Sequence, residues 1–176
     1  MKRVTIGGLA CALALLAAAC SSGGPATDGP FGNGGPDSGT VSSCARPGGV
    51  AYSGLEAFPN TGGRARTQRV TLAHPRNLQL VATWLVPLTG TDSVGVGSGY
   101  PPGPLAPGIH WGQRQHVAGA VIRHTRGGDL INLVVVVKPS GKVGTASAIN
   151  LYYLAGGTHY LLHFRYGLKI SVTRTC

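Results

Sequence analysis

The stretch from Ala148 to Tyr166 decides the fold class, and it reads AINLYYLAGGTHYLLHFRY. Two mostly apolar runs, Ala148–Leu154 and His159–Tyr166, lie on either side of Gly156-Gly157. In the second run, aromatic or aliphatic residues recur at every second position, which is typical of a half-buried β-strand. A Gly-Gly pair between such runs predicts a β-hairpin, because the favoured two-residue turns need positive φ angles.

The chain before this hairpin follows the same β pattern. Leu80–Val86 and Leu133–Val137 are nearly continuous apolar runs, which favours central strands covered on both faces. A second Gly-Gly pair, at 127–128, predicts a hairpin between strands near 117–124 and 130–138. Because no segment shows a sustained helical period, we expect an all-β fold, an immunoglobulin-like or jelly-roll-like β-sandwich.

The N-terminus carries the features of an export signal. Met1-Lys2-Arg3 is basic, and Val4–Ala19 is apolar apart from Thr5. This run is shorter than the roughly 20 apolar residues that a membrane-spanning helix needs. It therefore predicts a signal peptide over residues 1–19.

Leu15-Leu16-Ala17-Ala18-Ala19-Cys20 resembles the lipobox of bacterial lipoprotein signals. The resemblance implies that Cys20 is diacylated, becomes the mature N-terminus and anchors the protein on the extracytoplasmic side of the cell membrane. One alternative stays open, because Ala17-Ala18-Ala19 is also an A-x-A site for ordinary signal cleavage, which would release a soluble protein.

The cysteine count favours lipidation. Cys11 leaves with the leader, so the mature chain holds Cys20, Cys44 and Cys176, an odd number. Lipidation of Cys20 leaves one pair, and we expect a Cys44–Cys176 disulfide because exported proteins meet an oxidising compartment. The alternative is two free thiols.

Residues 20–43 are expected to be the lipidated cysteine followed by a flexible linker. The segment is rich in Gly, Ser and Pro, and Phe31 is its only large apolar side chain of note. Such a composition buries too little apolar surface to offset its ordering entropy. It predicts a spacer that holds the β-sandwich domain, residues 44–176, roughly a few nanometres from the membrane.

The positive charge is carried by the domain. From Cys44 onward there are 13 Lys and Arg against three acids. An anionic partner such as lipid head groups or a wall polymer fits this charge, whereas the exported address argues against nucleic acid. Solvated arginines without a ligand are the alternative. The candidate binding arginines are Arg64, Arg66, Arg69, Arg123 and Arg126.

Pro87–Gly108 is the longest segment without a strand pattern, with five prolines and six glycines. Loops of this length are usually functional or disordered, so the segment is either a recognition loop or a mobile insertion. Tyr100 and Trp111 lie towards its far end and are candidate ligand-stacking residues, although packing over an edge of the core is the alternative, as for Trp84.

The sequence gives little support for catalysis. Glu56, Asp92 and Asp129 are the acids available for acid/base chemistry in the domain, and no motif surrounds them. Ser98 lacks the G-x-S-x-G context of a hydrolase nucleophile. We therefore expect no enzyme, no catalytic residue and no cofactor; the alternative is an exported hydrolase that uses the 87–108 segment as an active-site lid.

Histidine spacing does not predict a metal site. His159 and His163 would lie about 13 Å apart on one face of a strand, at ~3.3 Å per residue, too far to share one ion. His110 and His116 flank a turn-like Gly112 and would need further ligands. The expected function is a non-catalytic binding module of the cell envelope, with an anionic component or a protein partner; a purely structural module is the other possibility.

Overall fold

The computed structural model describes residues 24–32, 39–90, 92–125 and 129–176, with the backbone alone at 55 and 56. Twelve strands and one short 3-10 turn, Trp111–Gln113, occur in these ranges. The strands are β1 Thr40–Ala45, β2 Ala51–Phe58, β3 Ala65–Ala73, β4 Leu78–Leu88, β5 Gly95–Ser98, β6 Gln115–His116, β7 Val121–Ile122, β8 Leu130–Pro139, β9 Val143–Ala146, β10 Ala148–Ala155, β11 Thr158–Phe164 and β12 Gly167–Val172.

The strands form three sheets around one main core. A four-stranded sheet has the order β11-β10-β3-β7, a five-stranded sheet has β5-β2-β8-β4-β6, and a three-stranded sheet has β1-β12-β9. Leu151 from the first sheet, Leu133 from the second and Ile170 from the third are buried in the same apolar cluster. The prediction of an all-β sandwich is confirmed.

The hairpin at Gly156-Gly157 is confirmed. β10 and β11 pair antiparallel with Ala155 opposite Thr158, and both glycines have positive φ, 56° and 83°. The hairpin predicted around 127–128 is wrong. β7 pairs with β3, whereas β8 lies between β2 and β4. Two apolar runs that follow one another need not pair, and β8 finds much longer partners in β2 and β4 than the two-residue β7.

β8 is central, as predicted. Leu133 and Val135 face the main core, whereas Val134 faces a second apolar cluster on the outer side of the five-stranded sheet. The prediction of a strand covered on both faces is right only for the second half of the Leu80–Val86 run. The β4–β8 register shifts at Val81, whose side chain is 54% exposed because the bulge leaves it outside the ladder.

The Cys44–Cys176 disulfide is present, with Cα atoms 5.7 Å apart and a sequence separation of 132 residues. Cys44 lies on β1 opposite Ser171 of β12, and the two strands run parallel. The bridge therefore fastens the C-terminus to the strand that opens the three-stranded sheet.

Residues 87–108 are packed onto the five-stranded sheet. The interpretation of this segment as a mobile insertion is therefore wrong for the described residues. β4 continues to Leu88, and β5 pairs antiparallel with β2. Val94 and Ile109 are buried against Val134, and they form the second apolar cluster. The Val94 N–H also donates to Asn132 Oδ1 at 2.8 Å. Apolar residues scattered between the prolines and glycines thus cover the back of a central strand.

Residues Gly24–Gly32, which we call the N-terminal strap, also contact the domain. The Ala26 N–H donates to the His159 carbonyl at 3.0 Å, and the Leu161 N–H donates to the Ala26 carbonyl at 2.8 Å. Phe31 is 2% exposed and belongs to the main core. The flexible-spacer prediction is therefore wrong for these residues, because pairing with the open edge of β11 and burial of one phenylalanine offset the ordering entropy. Cys20 and the predicted signal peptide lie outside the described residues.

Candidate functional site

Arg66 and Arg69 share the outer face of the four-stranded sheet, and Arg64 lines a hollow beside Arg66. Arg66 lies opposite Leu154 and Arg69 lies opposite Tyr152, all on the side away from the core. An odd spacing along a strand normally places two side chains on opposite faces. Here the register shifts between Tyr152 and Tyr153, so Gln68 is an extra residue and Arg69 returns to the face of Arg66.

The local structure fixes this face through buried contacts on the inner side of β3. The Thr67 hydroxyl donates to the carbonyls of Val117 and Ala120, and Thr67 is completely buried. These bonds tie β3 to the segment that precedes β7. They hold the strand so that Arg64, Arg66 and Arg69 stay exposed to solvent.

Aromatic and imidazole side chains accompany the arginines. The Arg69 guanidinium lies 4.3 Å from the centre of the Tyr152 ring, a cation–π contact. His159 Nδ1 is 3.4 Å from Gln68 Oε1, and His163 Nδ1 is 2.5 Å from Asn150 Oδ1. We call this surface the basic face, and its defining residues are Arg64, Arg66, Arg69, Tyr152, His159 and His163.

The basic face carries two open hollows. The larger, about 690 Å³, lies between the first residues of the strap and Arg69, Tyr152 and His159. A second hollow of about 380 Å³ is lined by Arg64 and Arg66. Among the described residues that line them, none is acidic.

A third hollow, of about 450 Å³, opens where β7 meets the five-stranded sheet. Arg64 and Arg123 both line it. They are the residues next to the Ala65–Ile122 pair, so they lie at the same end of the two strands. Leu85 and Ile131 supply apolar walls. Arg123 thus joins the other arginines, whereas Arg126 lies outside the described residues.

Tyr100 and Trp111 do not belong to the basic face. They lie on the outer side of the five-stranded sheet, on the opposite side of the sandwich, with ring centroids 6.1 Å apart. Arg114 lies between two indoles, 4.9 Å from the ring centre of Trp84 and 5.0 Å from that of Trp111. His116 stacks on Trp84 at 3.8 Å. Trp84, Trp111 and Arg114 pack against one another, whereas Tyr100 is 36% exposed.

Two donors in this aromatic cluster are buried without a hydrogen-bond partner among the described residues. They are Trp84 Nε1 and Arg114 Nε. The Arg114 guanidinium bonds instead through Nη1 to the Trp111 carbonyl at 3.1 Å. The guanidinium faces ring electrons on both sides, which compensates part of its desolvation.

The histidines do not converge on a metal site in the described part of the chain. There, no three His, Cys, Asp or Glu side chains are placed to hold an ion. His110 Nε2 lies 2.9 Å from Thr89 Oγ1, away from the stack that holds His116. Likewise, no helix in the described ranges has the length and apolarity to cross a bilayer.

The strap meets the inner, core-facing side of the four-stranded sheet at a buried tyrosine. The Phe31 ring stacks on Tyr153, and the Phe31 N–H donates to the Tyr153 hydroxyl at 3.4 Å. Burial raises the pKa of Tyr153 above its ordinary value, and Tyr160 raises it further, whereas the Phe31 N–H lowers it. The phenol therefore stays neutral where the strap crosses the sheet edge.

No protein-family model, curated protein or solved structure matches this chain.

Proposed function

We propose that this protein is a lipid-anchored, non-catalytic module of the bacterial cell envelope that binds an anionic envelope component through its basic face. The observation that carries the proposal is the set of arginines along β3 and its β7 edge, Arg64, Arg66, Arg69 and Arg123, with no acid among the described residues that line the adjoining hollows. Each arginine close to an anionic membrane surface contributes about 1 kcal/mol.

The bulge at Gln68 supports the proposal, because it adds Arg69 to the face of Arg66. Guanidinium groups suit phosphate and carboxylate oxygens because they donate in a planar fork.

The disulfide supports the anchor. Since Cys44 and Cys176 are bonded to each other, Cys20 is the mature-chain cysteine left for lipidation. A lipidated Cys20 would place the protein at the extracytoplasmic surface of the membrane. Intact-mass measurement of the membrane fraction tests this, and an unmodified Cys20 thiol in a soluble mature protein would overturn it.

Retention on vesicles tests the binding function. We expect the protein without its anchor to bind anionic phospholipid vesicles at about 0.05 M salt and to be released at about 0.5 M, because screening weakens exposed charge pairs. Neutral vesicles should not retain it. Retention that ignores both salt and lipid charge would contradict the proposal, and the absence of retention on either kind of vesicle would favour a protein partner. The exported hydrolase stays an alternative prediction.

A further inference from the structure

We propose that the N-terminal strap holds the basic face against the membrane that carries the anchor, so that anionic phospholipid head groups occupy the hollow beside Arg69 and His159. This inference rests on the proposed lipidation of Cys20 and adds an orientation to it. The strap is part of the fold, and it sets which side of the sandwich meets the bilayer.

The first described residues of the strap lie at the basic face. Gly24, Pro25 and Ala26 line the 690 Å³ hollow together with Arg69 and His159. From there the strap runs along the edge of β11 and ends with Phe31 in the main core. The anchor-side end of the strap therefore lies on the outer face of the four-stranded sheet, and its other end is fastened inside.

The remaining tether is short. Four residue steps separate Cys20 from Gly24, and a fully extended chain spans at most about 3.6 Å per residue, or about 14 Å in all. A free linker up to residue 43 would have allowed any face to approach the bilayer. Docking of the strap limits the approach to the side on which Gly24 lies.

The chemistry of that side suits lipid head groups. Arg69 supplies a fork of donors for phosphate oxygens, and Tyr152 beside it is an amphipathic ring of the kind found at membrane interfaces. Leu161 is partly exposed and lies in register with Tyr152, which in turn pairs with Arg69. Asp28 of the strap is exposed but does not line the hollow.

Gly29 makes the orientation testable. A Cβ at this position would lie 2.7 Å from Tyr160 Cδ1 and would also meet the Tyr153 hydroxyl, so Gly29→Ala should undock the strap. Thr27→Ala is the control, because Thr27 is exposed on the same strap and does not line the hollow. Faster hydrogen exchange at the Leu161 amide, which donates to Ala26, reports undocking independently.

The experiment uses the full lipidated chain in anionic vesicles that carry a head-group spin label, with Tyr152→Trp as a fluorescent reporter. Trp84 and Trp111 lie on the opposite side of the sandwich and give the background. We expect strong quenching of the introduced indole, weak quenching of the native pair, and loss of the difference in Gly29→Ala but not in Thr27→Ala. Equal or stronger quenching of the native pair would overturn the orientation. So would a quenching difference that persists in Gly29→Ala while its Leu161 amide exchanges fast. Both results would leave the anchor intact. A chain found outside the membrane fraction would overturn the anchor itself.

Discussion

Phe31 stacks on Tyr153 with ring centroids 4.0 Å apart, although 122 residues separate them. The contact brings a segment with the composition of a linker into the core of a β-sandwich. Phe58 packs against Phe31 in a tilted arrangement, with ring centroids 4.9 Å apart. Strap and domain should consequently unfold as one unit.

Phe31→Ala should destabilise the protein by about 3–5 kcal/mol, the usual cost of removing a buried aromatic ring. Chemical denaturation measures the change. Thr27→Ala, at an exposed position of the same strap, serves as the control and should be neutral. A loss below about 1 kcal/mol for Phe31→Ala would show that the strap contributes little to the fold.

In Tyr153→Phe, the free energy of unfolding should fall less steeply as the pH rises into the alkaline range. The pKa of Tyr153 is raised in the folded state, so its contribution is fully present below about pH 10, the unfolded value, and is lost as pH rises through the folded pKa. The variant should be less stable by about 1 kcal/mol at neutral pH, because it lacks the hydroxyl that accepts from Phe31. Denaturation curves from about pH 8 to about pH 11 test this, and parallel curves for both proteins would contradict it.

Gly54→Ala should disrupt the packing of the 87–108 segment on the five-stranded sheet. A Cβ at Gly54 would lie 2.7 Å from Val94 Cβ and 3.0 Å from Val134 Cγ2. We expect a destabilisation of about 1–3 kcal/mol from overpacking, together with faster amide exchange at Val94. Gly103→Ala, where a Cβ meets nothing within 4 Å, is the matched control. Unchanged exchange in Gly54→Ala would show that the segment is held by other contacts.

Reduction of Cys44–Cys176 should cost about 4–5 kcal/mol in the chain-entropy model, because the bridge closes a loop of 132 residues. The Cys44→Ala, Cys176→Ala double variant should unfold at the same denaturant concentration as the reduced protein. A variant as stable as the oxidised protein would indicate that β1 and β12 hold the ends without the bridge.

The elements that the sequence predicts are those with a strong local signal. Gly156-Gly157 and the five consecutive apolar residues from Leu133 act within a few residues, and both predictions are confirmed. The strap has no comparable signal, since Phe31 finds its partners on strands more than twenty residues away. The bulge at Gln68 depends on pairing with β10, and it could not be read from β3 alone.

The candidate site was predicted in part for the same reason. Arg64, Arg66 and Arg69 are close in sequence, so the sequence alone predicts their grouping. His159 and Tyr152 join them only through strand pairing, and Tyr100 and Trp111 are carried to the opposite side by the packing of the 87–108 segment.

The affinity for anionic vesicles at low salt, compared between two charge-matched double variants, tests the central claim most directly. Arg66→Gln with Arg69→Gln removes two charges from the basic face, and Arg76→Gln with Arg174→Gln removes two exposed charges elsewhere. We predict a loss of about 2 kcal/mol, roughly thirty-fold in affinity, for the first pair and a much smaller change for the second. Equal losses for the two pairs would contradict a specific basic face and would reduce the binding to net charge.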